Sequence, residues 1–301
     1  MERQILDISE GNRYLSKVRG LLSIRCDGNT ESERIINIPF DEIEAIIVHT
    51  PQATYSSGCL QELAIRNIPL VLSNNAHSPV GWLWPATGNF EQSRRMFAQT
   101  QLSKAFRDRL WKKIVIAKIR AQAEVLKLAN IRHGGLIALS KTVKPGDPEN
   151  IEAQAAQRYW PALLGAEFRR RRNGDDPNGL LNYGYTILRA SITRYICASG
   201  LHPSIGLHHS NRFNAFCLAD DLMEPFRPAV DMEVWRLGKS NIRNVSPQTK
   251  AQIAAVLSKE MDTDRGAVPL SRCVEWATQS LAQSILDKTD HLKLPRSTSF
   301  K

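Results

Sequence analysis

The sequence has few cysteines, and none is spaced as a pair that could hold a metal. Five cysteines occur among 301 residues, which is an odd number, and no Cys-x-x-Cys pair is present. This pattern argues against a disulfide framework and against a zinc ribbon, and it favours a reducing compartment. We therefore expect a cytoplasmic protein.

Long hydrophobic runs are also missing. No stretch approaches the roughly 20 apolar residues that a membrane-spanning helix needs. The opening MERQILDISEG contains acids and no long apolar run, so we expect no secretion signal and no membrane partner. Hydrophobic residues still make up 42% of the chain, which is enough to bury a core and excludes a disordered protein.

Several catalytic fingerprints are absent. The sequence contains no G-x-S-x-G, no Gly-rich phosphate loop and no dinucleotide-binding fingerprint. These absences disfavour the serine-hydrolase, phosphate-loop and dinucleotide-binding chemistries that these three motifs support.

Basic residues outnumber acidic ones in most of the chain. Residues 1–90 contain 7 Lys and Arg against 10 Asp and Glu, a net charge of −3. Because the whole chain has a formal charge of +10, residues 91–301 carry +13. A field of this sign most often serves to neutralise phosphates, so it favours a nucleic-acid partner over a merely solubilising surface.

The first part of the chain has the pattern of short strands. One helix, which Ser56 or Ser57 could cap, interrupts them. The predicted strands are ILDIS, RYLSKV, LLSIRC, RIINIPF, IEAIIVHT, PLVLSN and PVGWLWP. Residues 1–85 are therefore predicted to form a β-sandwich-like domain, followed by a linker at 86–92. This domain lacks a catalytic cluster, so its expected task is dimerisation.

The rest of the chain has helical patterns, which makes the fold class α+β. One long helix is predicted over 91–129, and PGDPEN and DDPN each resemble a helix start, with Asp147 and Asp176 as caps. An all-α domain is expected over 93–286. The polar, basic residues 287–301 are expected to form a flexible tail.

Glu152 is predicted to face inward. On a helix that starts near Pro148, Glu152 shares a face with Ala156, Tyr159 and Leu163. An inward carboxylate needs a cation, a donor or a raised pKa. A salt bridge to an arginine is the simplest structural explanation.

Residues 206–231, GLHHSNRFNAFCLADDLMEPFRPAVD, gather charged groups among apolar ones. His209 and Glu224 are too far apart for one helical face, and the nearby prolines place Glu224 at a helix start or kink. Arg227 is expected to pair with Asp220 or Asp221. A histidine with two carboxylates suits Mg²⁺ or Mn²⁺ better than zinc.

A basic run, Arg169, Arg170, Arg171 and Arg172, permits two interpretations. It is either a solvated helix end or a phosphate clamp. We predict DNA contacts at these four arginines and at Arg212.

The runs FRRRRNGDDPNGLLNYGYTILRA and GLHPSIGLHHSNRFNAFCLADDLMEPFRPAVD closely resemble the CRISPR-associated integrase of spacer acquisition. That family is the first of the two universal adaptation proteins, and the chain looks most like its type II form. The segment IEAIIVHTPQATYSSGCLQELAIRNIPLVLSN resembles the N-terminal domain of the same family.

The resemblance implies an N-terminal β-domain and an α-helical catalytic domain over 93–286. It implies a homodimer that works with the small second universal adaptation protein. It also implies double-stranded DNA partners, namely the captured fragment and the CRISPR repeat, and the type II effector nuclease as a further partner. The family's metal ligands correspond to Glu152, His209 and Glu224, with Asp221 as an auxiliary acid. His208 is one position early for the family's histidine.

The resulting hypothesis is a metal-dependent endonuclease and integrase that inserts short foreign DNA into a CRISPR array by transesterification. Two alternatives stay open at this point. One is a metal-dependent nuclease that acts on branched DNA in repair, and the other is a non-catalytic DNA-binding scaffold.

Overall fold

The chain divides between Gln92 and Ser93 into a strand-rich unit and a helical unit. The computed structural model describes these residues: 3–8, 10–26, 34–74, 79–83, 85–86, 89–171, 177–242, 244–264 and 266–295. In these ranges no helix is both long enough and apolar enough to cross a bilayer.

The first unit contains eight described strands and one α-helix. The elements are β1 (Gln4–Ile8), β2 (Arg13–Val18), β3 (Leu21–Cys26), β4 (Arg34–Pro39), β5 (Ile43–Val48), β6 (Ala53–Tyr55), α1 (Ser57–Ile65), β7 (Leu70–Ser73) and β8 (Pro79–Trp82). The short strand β6 was not expected from the sequence. Ser56 caps α1 by accepting a hydrogen bond from the Cys59 amide, as its position before the apolar face predicted.

The strands form two four-stranded sheets. One has the order β1-β5-β7-β8, and the other has the order β4-β3-β2-β6. The central strand β5 is buried along its whole length and pairs in parallel with both β1 and β7. Leu15 and Leu22 of the second sheet share one core with Ile46 of the first sheet and Leu63 of α1.

Helices dominate the second unit. They are α2 (Gln92–Thr100), α3 (Lys104–Leu128), α4 (Leu136–Ser140), α5 (Ile151–Leu164), α6 (Asn178–Ala198), α7 (Cys217–Met223), α8 (Arg227–Lys239), α9 (Pro247–Ala254) and α10 (Leu270–Asp287). The α+β class expected from the sequence is confirmed. The packing of α6 on α8 needs Gly184, because a Cβ there would lie 2.3 Å from Cγ1 of Val230.

Three details differ from the sequence-based expectations. The single helix predicted over 91–129 is two helices, because Ser103 accepts a hydrogen bond from the Phe106 amide and starts α3 anew. The helical unit is not purely α, since β9 (Glu260–Thr263) and β10 (Gly266–Pro269) form an antiparallel hairpin.

The third detail concerns the chain end. Residues 288–295 pack against the helical unit instead of forming a flexible tail, while 296–301 lie outside the described residues. The amide of His291 donates to Ser284, the amide of Lys293 donates to Ser280, and Leu292 is buried. Asp176, the cap predicted for α6, also lies outside the described residues, and α6 begins directly after Pro177.

Candidate active site

Glu224 lies at a break between two helices. Helix α7 ends at Met223, a 3₁₀ turn spans Glu224–Phe226, and α8 starts at Arg227. Pro225 and Pro228 are the second residues of the turn and of α8, where the missing amide hydrogen costs no helical bond. The predicted kink is confirmed, and it leaves the Glu224 side chain buried.

Glu152 lies in the first turn of α5. The carboxylate of Asp147 accepts from the amide of Ile151 at 2.8 Å and from the amide of Glu152 at 2.9 Å. These are two of the amide groups that a helix start leaves unbonded. Asp147 thus holds the helix start that positions Glu152, although Pro148 precedes the helix instead of opening it.

Lys118 of α3 joins the two glutamates. Its Nζ atom lies 2.5 Å from Oε1 of Glu152 and also forms an ion pair with Oε2 of Glu224. The expected arginine partner of Glu152 is therefore a lysine. Burial alone would lower the pKa of Lys118, but the charges of Glu224 and Glu152 raise it above its ordinary value, so Lys118 is a cation.

The helical spacing of α3 carries a signal for Lys118. Lys118 lies four residues after Ile114 and four before Gln122, on the buried face of α3. A lysine in that position needs an acidic partner, because an unpaired buried charge is costly.

Arg227 pairs with Glu224, not with Asp220 or Asp221 as the sequence suggested. Its Nε atom lies 2.7 Å from Oε1 of Glu224, three residues earlier. Burial would raise the pKa of Glu224, but the charges of Arg227 and Lys118 outweigh it and lower the pKa below its ordinary value. Asp220 instead bonds Arg189 at 2.8 Å.

Asp221 builds the loop that carries His209. Asp221 is completely buried, and its carboxylate accepts from the amides of Leu207 at 2.6 Å, His208 at 2.9 Å and His209 at 3.2 Å. Gly206 is required beside it, since an added Cβ would lie 2.3 Å from the His209 carbonyl oxygen.

The same carboxylate orients the His209 ring. Oδ1 of Asp221 lies 2.6 Å from Nδ1 of His209, which leaves Nε2 for another partner. This arrangement is common behind metal-bound histidines, because it fixes the tautomer and the ring direction. The hydrogen bond to Asp221 also raises the pKa of His209 above its ordinary value, against the effect of burial.

His208 has a different role from His209. Its ring stacks on Trp111 of α3 with ring centres 4.3 Å apart and an angle of 4° between the planes. This packing holds His208 to the core of the helical unit. Of the two neighbouring histidines, only His209 has a ring nitrogen bonded to an acid in the described contacts.

The residues predicted as metal ligands are only partly assembled. Glu152 and Glu224 meet at Lys118, and the charge of His209 contributes to the lowered pKa of Glu224. Among the described residues, no three His, Cys, Asp or Glu side chains stand close enough to bind one ion together. The structure thus gathers the two glutamates around a lysine ammonium.

The donor groups fit a divalent cation in their chemistry. Two carboxylates already converge on one positive charge, and His209 keeps Nε2 free of the Asp221 bond. Oε2 of Glu224 is buried and receives no well-directed hydrogen bond from any described residue, although it pairs with Lys118. Carboxylate oxygens with an imidazole suit Mg²⁺ or Mn²⁺.

The predicted DNA-contacting arginines separate into two kinds. Arg170 is held inward by Asn182 at 2.7 Å and lies over the ring of Tyr185, while Arg169 donates to backbone carbonyls nearby. Arg171 and Arg212 are exposed. Arg172 lies outside the described residues.

The fold is similar to that of two solved structures. A casposase bound to integration product superposes with a TM-score of 0.80 at 21% identity, covering 96% of this chain and 92% of that one. A chain of a Cas6-RT-Cas1–Cas2 complex gives a TM-score of 0.76 at 17% identity, covering all of this chain and 37% of that one.

The sequence comparisons identify the family. The family model of CRISPR associated protein Cas1 matches residues 6–263. The CRISPR-associated endonuclease Cas1 of Neisseria meningitidis serogroup C, strain 8013, is 30% identical over 292 residues, which cover 95% of this chain and 94% of that protein. The chain belongs to the Cas1 family, which confirms the resemblance drawn from its motifs.

Proposed function

We propose that this protein is a metal-dependent DNA integrase and endonuclease that inserts short foreign DNA into a CRISPR array. The observation that carries the proposal is the convergence of Glu152 and Glu224 on one cation, with His209 oriented beside them by Asp221. Similar proteins support it, since they include a CRISPR-associated endonuclease Cas1 and a casposase bound to integration product.

The reaction is a transesterification. A 3′-hydroxyl of the captured DNA attacks a phosphodiester at the repeat border and forms a new P–O bond. The attacking hydroxyl gives up its proton, the old P–O bond breaks, and the leaving 3′-oxygen takes up a proton, so no net proton is gained or lost. A bound Mg²⁺ or Mn²⁺ would polarise the phosphate and offset the charge that develops in the transition state.

Each residue of the site has a defined task in this proposal. Glu152 and Glu224 hold the cation with their carboxylates, and His209 contributes Nε2. Asp221 positions His209 through Nδ1 and holds the loop amides. The proposal thus gives each of these four side chains a separate task.

The basic charge of residues 91–301 would bind the DNA backbone, so the protein alone should discriminate poorly between sequences. The protein would act as a homodimer. It would assemble with the small second universal adaptation protein, since a chain of similar fold is part of a Cas6-RT-Cas1–Cas2 complex. The captured fragment and the repeat are the DNA partners, and the type II effector nuclease is proposed as a further one.

The test is a strand-transfer assay with the small partner, a supercoiled array plasmid and a short duplex. Wild-type protein should join the duplex at the repeat border with Mg²⁺ or Mn²⁺ and should lose this activity with a chelator. Glu152→Gln and Glu224→Gln should each reduce joining by about 10³-fold or more while DNA binding survives. Full joining by either folded variant would show that the proposed site is wrong.

The histidines and the two alternatives are separated in the same assay. His209→Ala should be strongly impaired, whereas His208→Ala should stay active if it folds. Equal joining on plasmids with and without an array, together with efficient cleavage of branched DNA, would favour a repair nuclease. Binding without any metal-dependent joining or cleavage would favour a scaffold.

A further inference from the structure

Lys118 lies at the point where the two glutamates meet. Its ammonium group contacts Oε1 of Glu152 and Oε2 of Glu224, and the Lys118 side chain is 11% exposed. Desolvated charge pairs of this kind are stable only while both signs are present. Lys118 is therefore the cation that joins the two carboxylates, while Arg227 also pairs with Glu224.

A divalent ion bound by both glutamates needs the same position. Two cations a few ångströms apart in a buried site repel each other strongly, because little solvent screens them. The lysine and the ion cannot both bridge the same two oxygens. If Glu152 and Glu224 bind an ion, the Lys118 ammonium has to move away from at least one of them.

A second position for the ammonium is present one turn along the same helix. Gln122 follows Lys118 by four residues, so the two side chains share a face of α3. Gln122 is 2% exposed, and its Oε1 atom has no hydrogen-bond partner among the described residues. A buried carbonyl without a donor is costly, and a displaced ammonium would remove that cost.

There is also room for this movement. Lys118 and Gln122 both line a cavity of about 210 Å³, together with Arg170, Glu224 and Asp231. The volume is several times that of an ammonium group, whose size is close to that of one water molecule of about 30 Å³.

We propose that Lys118 is a resident cation that takes the place of the metal ion between Glu152 and Glu224, and that it moves to Oε1 of Gln122 when the ion binds. This inference rests on the proposed function, because it requires that the glutamates bind a divalent ion. Lys118 is then a positioning residue. It keeps the acidic site folded without metal and competes with metal for the same oxygens.

The experiment measures Mn²⁺ binding to the full chain by isothermal titration calorimetry, and thermal unfolding with and without Mn²⁺. Lys118→Met keeps the side-chain length and removes the charge. It should bind Mn²⁺ at least about tenfold more tightly than wild type, because the competing cation is gone. Its metal-free Tm should fall, and saturating Mn²⁺ should raise it by more than in wild type.

A lysine with only a structural role gives a different result. In that case Lys118→Met would lower the Tm and leave Mn²⁺ affinity unchanged or weaker, and this result would overturn the inference. Glu152→Gln/Glu224→Gln serves as the reference without a metal site.

Gln122→Leu tests the second position and does not depend on the folding of Lys118→Met. Since Oε1 of Gln122 has no hydrogen-bond partner among the described residues, the metal-free Tm should not fall. Mn²⁺ should bind roughly three- to tenfold more weakly, because the displaced ammonium has lost its acceptor. Gln279→Leu, an exposed change on α10, is the matched control and should alter neither value. Wild-type Mn²⁺ affinity in Gln122→Leu would overturn the inference.

Failure of the inference can be told from failure of the proposed function. If the glutamates bind Mn²⁺ in wild type and Lys118→Met binds it no more tightly, the role of Lys118 is wrong and the metal site stands. If neither wild type nor Lys118→Met binds Mn²⁺, both proposals are wrong.

Discussion

The two units of the chain differ most in what they bury. The core of the first unit is mostly aliphatic, and its buried acidic or basic side chains among the described residues are Glu44 and His49. The helical unit buries many more. They are Lys118, Asp147, Arg194, Asp220, Asp221, Glu224, Asp231, Glu233 and Lys250.

This difference shows that the free-energy cost of burying charged side chains falls mainly on the helical unit. Removing charges from water is expensive, and buried pairs seldom stabilise a fold more than apolar residues of the same size would. The first unit buries few charged side chains, which is typical of a domain whose interior serves packing. In the helical unit, Lys118, Asp221 and Glu224 lie together at the proposed active site, where the cost is matched by a chemical use.

Replacing one buried glutamate by glutamine in each unit gives the largest expected contrast in strand-transfer activity. Glu224→Gln should abolish strand transfer, and the double variant Glu152→Gln/Glu224→Gln should be no less active than either single one, because the glutamates act as a unit. Glu44→Gln, equally buried in the first unit, should stay within about threefold of wild type. The measurement is the initial rate of joining.

Additive losses in the double variant would show that the glutamates act separately. A Glu44→Gln variant that folds but does not join DNA would remove the functional distinction between the units.

The second prediction tests assembly by the first unit. Strand β4 is at the edge of its sheet, and Ile35 on it is 54% exposed. An apolar edge strand favours a symmetric partner. Ile35→Glu should weaken dimerisation by about 100-fold, if this edge lies at the centre of the interface. Light scattering at tens of micromolar measures the oligomeric state.

The control for dimerisation is Ile137→Glu in the helical unit, where the side chain is exposed to a similar degree. It should leave the dimer intact. Monomeric wild-type protein at these concentrations would contradict the assignment of dimerisation to the first unit.

Local patterns predicted the elements well and the contacts less well. Ser56 and the alternating strands depend on neighbours in sequence, and the structure has them as expected. Lys118 could not be assigned to Glu152 and Glu224, because that contact joins three segments separated by more than 30 residues. Arg227 pairs with Glu224 and not with Asp220 or Asp221. The 3₁₀ turn places Glu224, three residues earlier, on the same side of the chain as Arg227.

The sequence also predicted only part of the difference between His208 and His209. The family pattern singled out His209, but only the packing explains why His208 differs. Trp111, almost 100 residues earlier, stacks on His208, and Asp221 bonds His209. Sequence spacing carries no information on such partners unless both lie on one element.

The third prediction concerns the pH dependence of stability. Asp231 is fully buried and accepts from the hydroxyls of Tyr159 and Tyr185. Burial raises its pKa to about 6, although these hydrogen bonds act in the other direction. An acid with a raised folded pKa binds its proton more tightly in the folded state, so stability falls as pH rises from about 4 to 6.

Asp231→Asn should remove this fall. Relative to wild type, the free energy of unfolding of the variant should improve by about 2 kcal/mol between pH 4 and pH 7. Urea unfolding at both pH values measures it. Glu260→Gln, an exposed change on β9, is the control, and parallel pH curves for Asp231→Asn and wild type would contradict the prediction.

The smallest expected effect separates the arginines of the basic run. If about four phosphates are neutralised, the slope of log K against log salt on random duplex should be roughly −3 to −4. The exposed Arg171 and Arg212 are free to reach phosphates, so each alanine variant should reduce the slope by about 0.9. Arg170 packs inward against Asn182 and Tyr185, so Arg170→Ala should lower the Tm and change the slope little.

Fluorescence anisotropy over a salt series gives the slopes. Unchanged slopes for Arg171→Ala and Arg212→Ala would return both residues to a solvated surface, and a wild-type slope near zero would mean that the charge of +13 on residues 91–301 does not serve DNA binding.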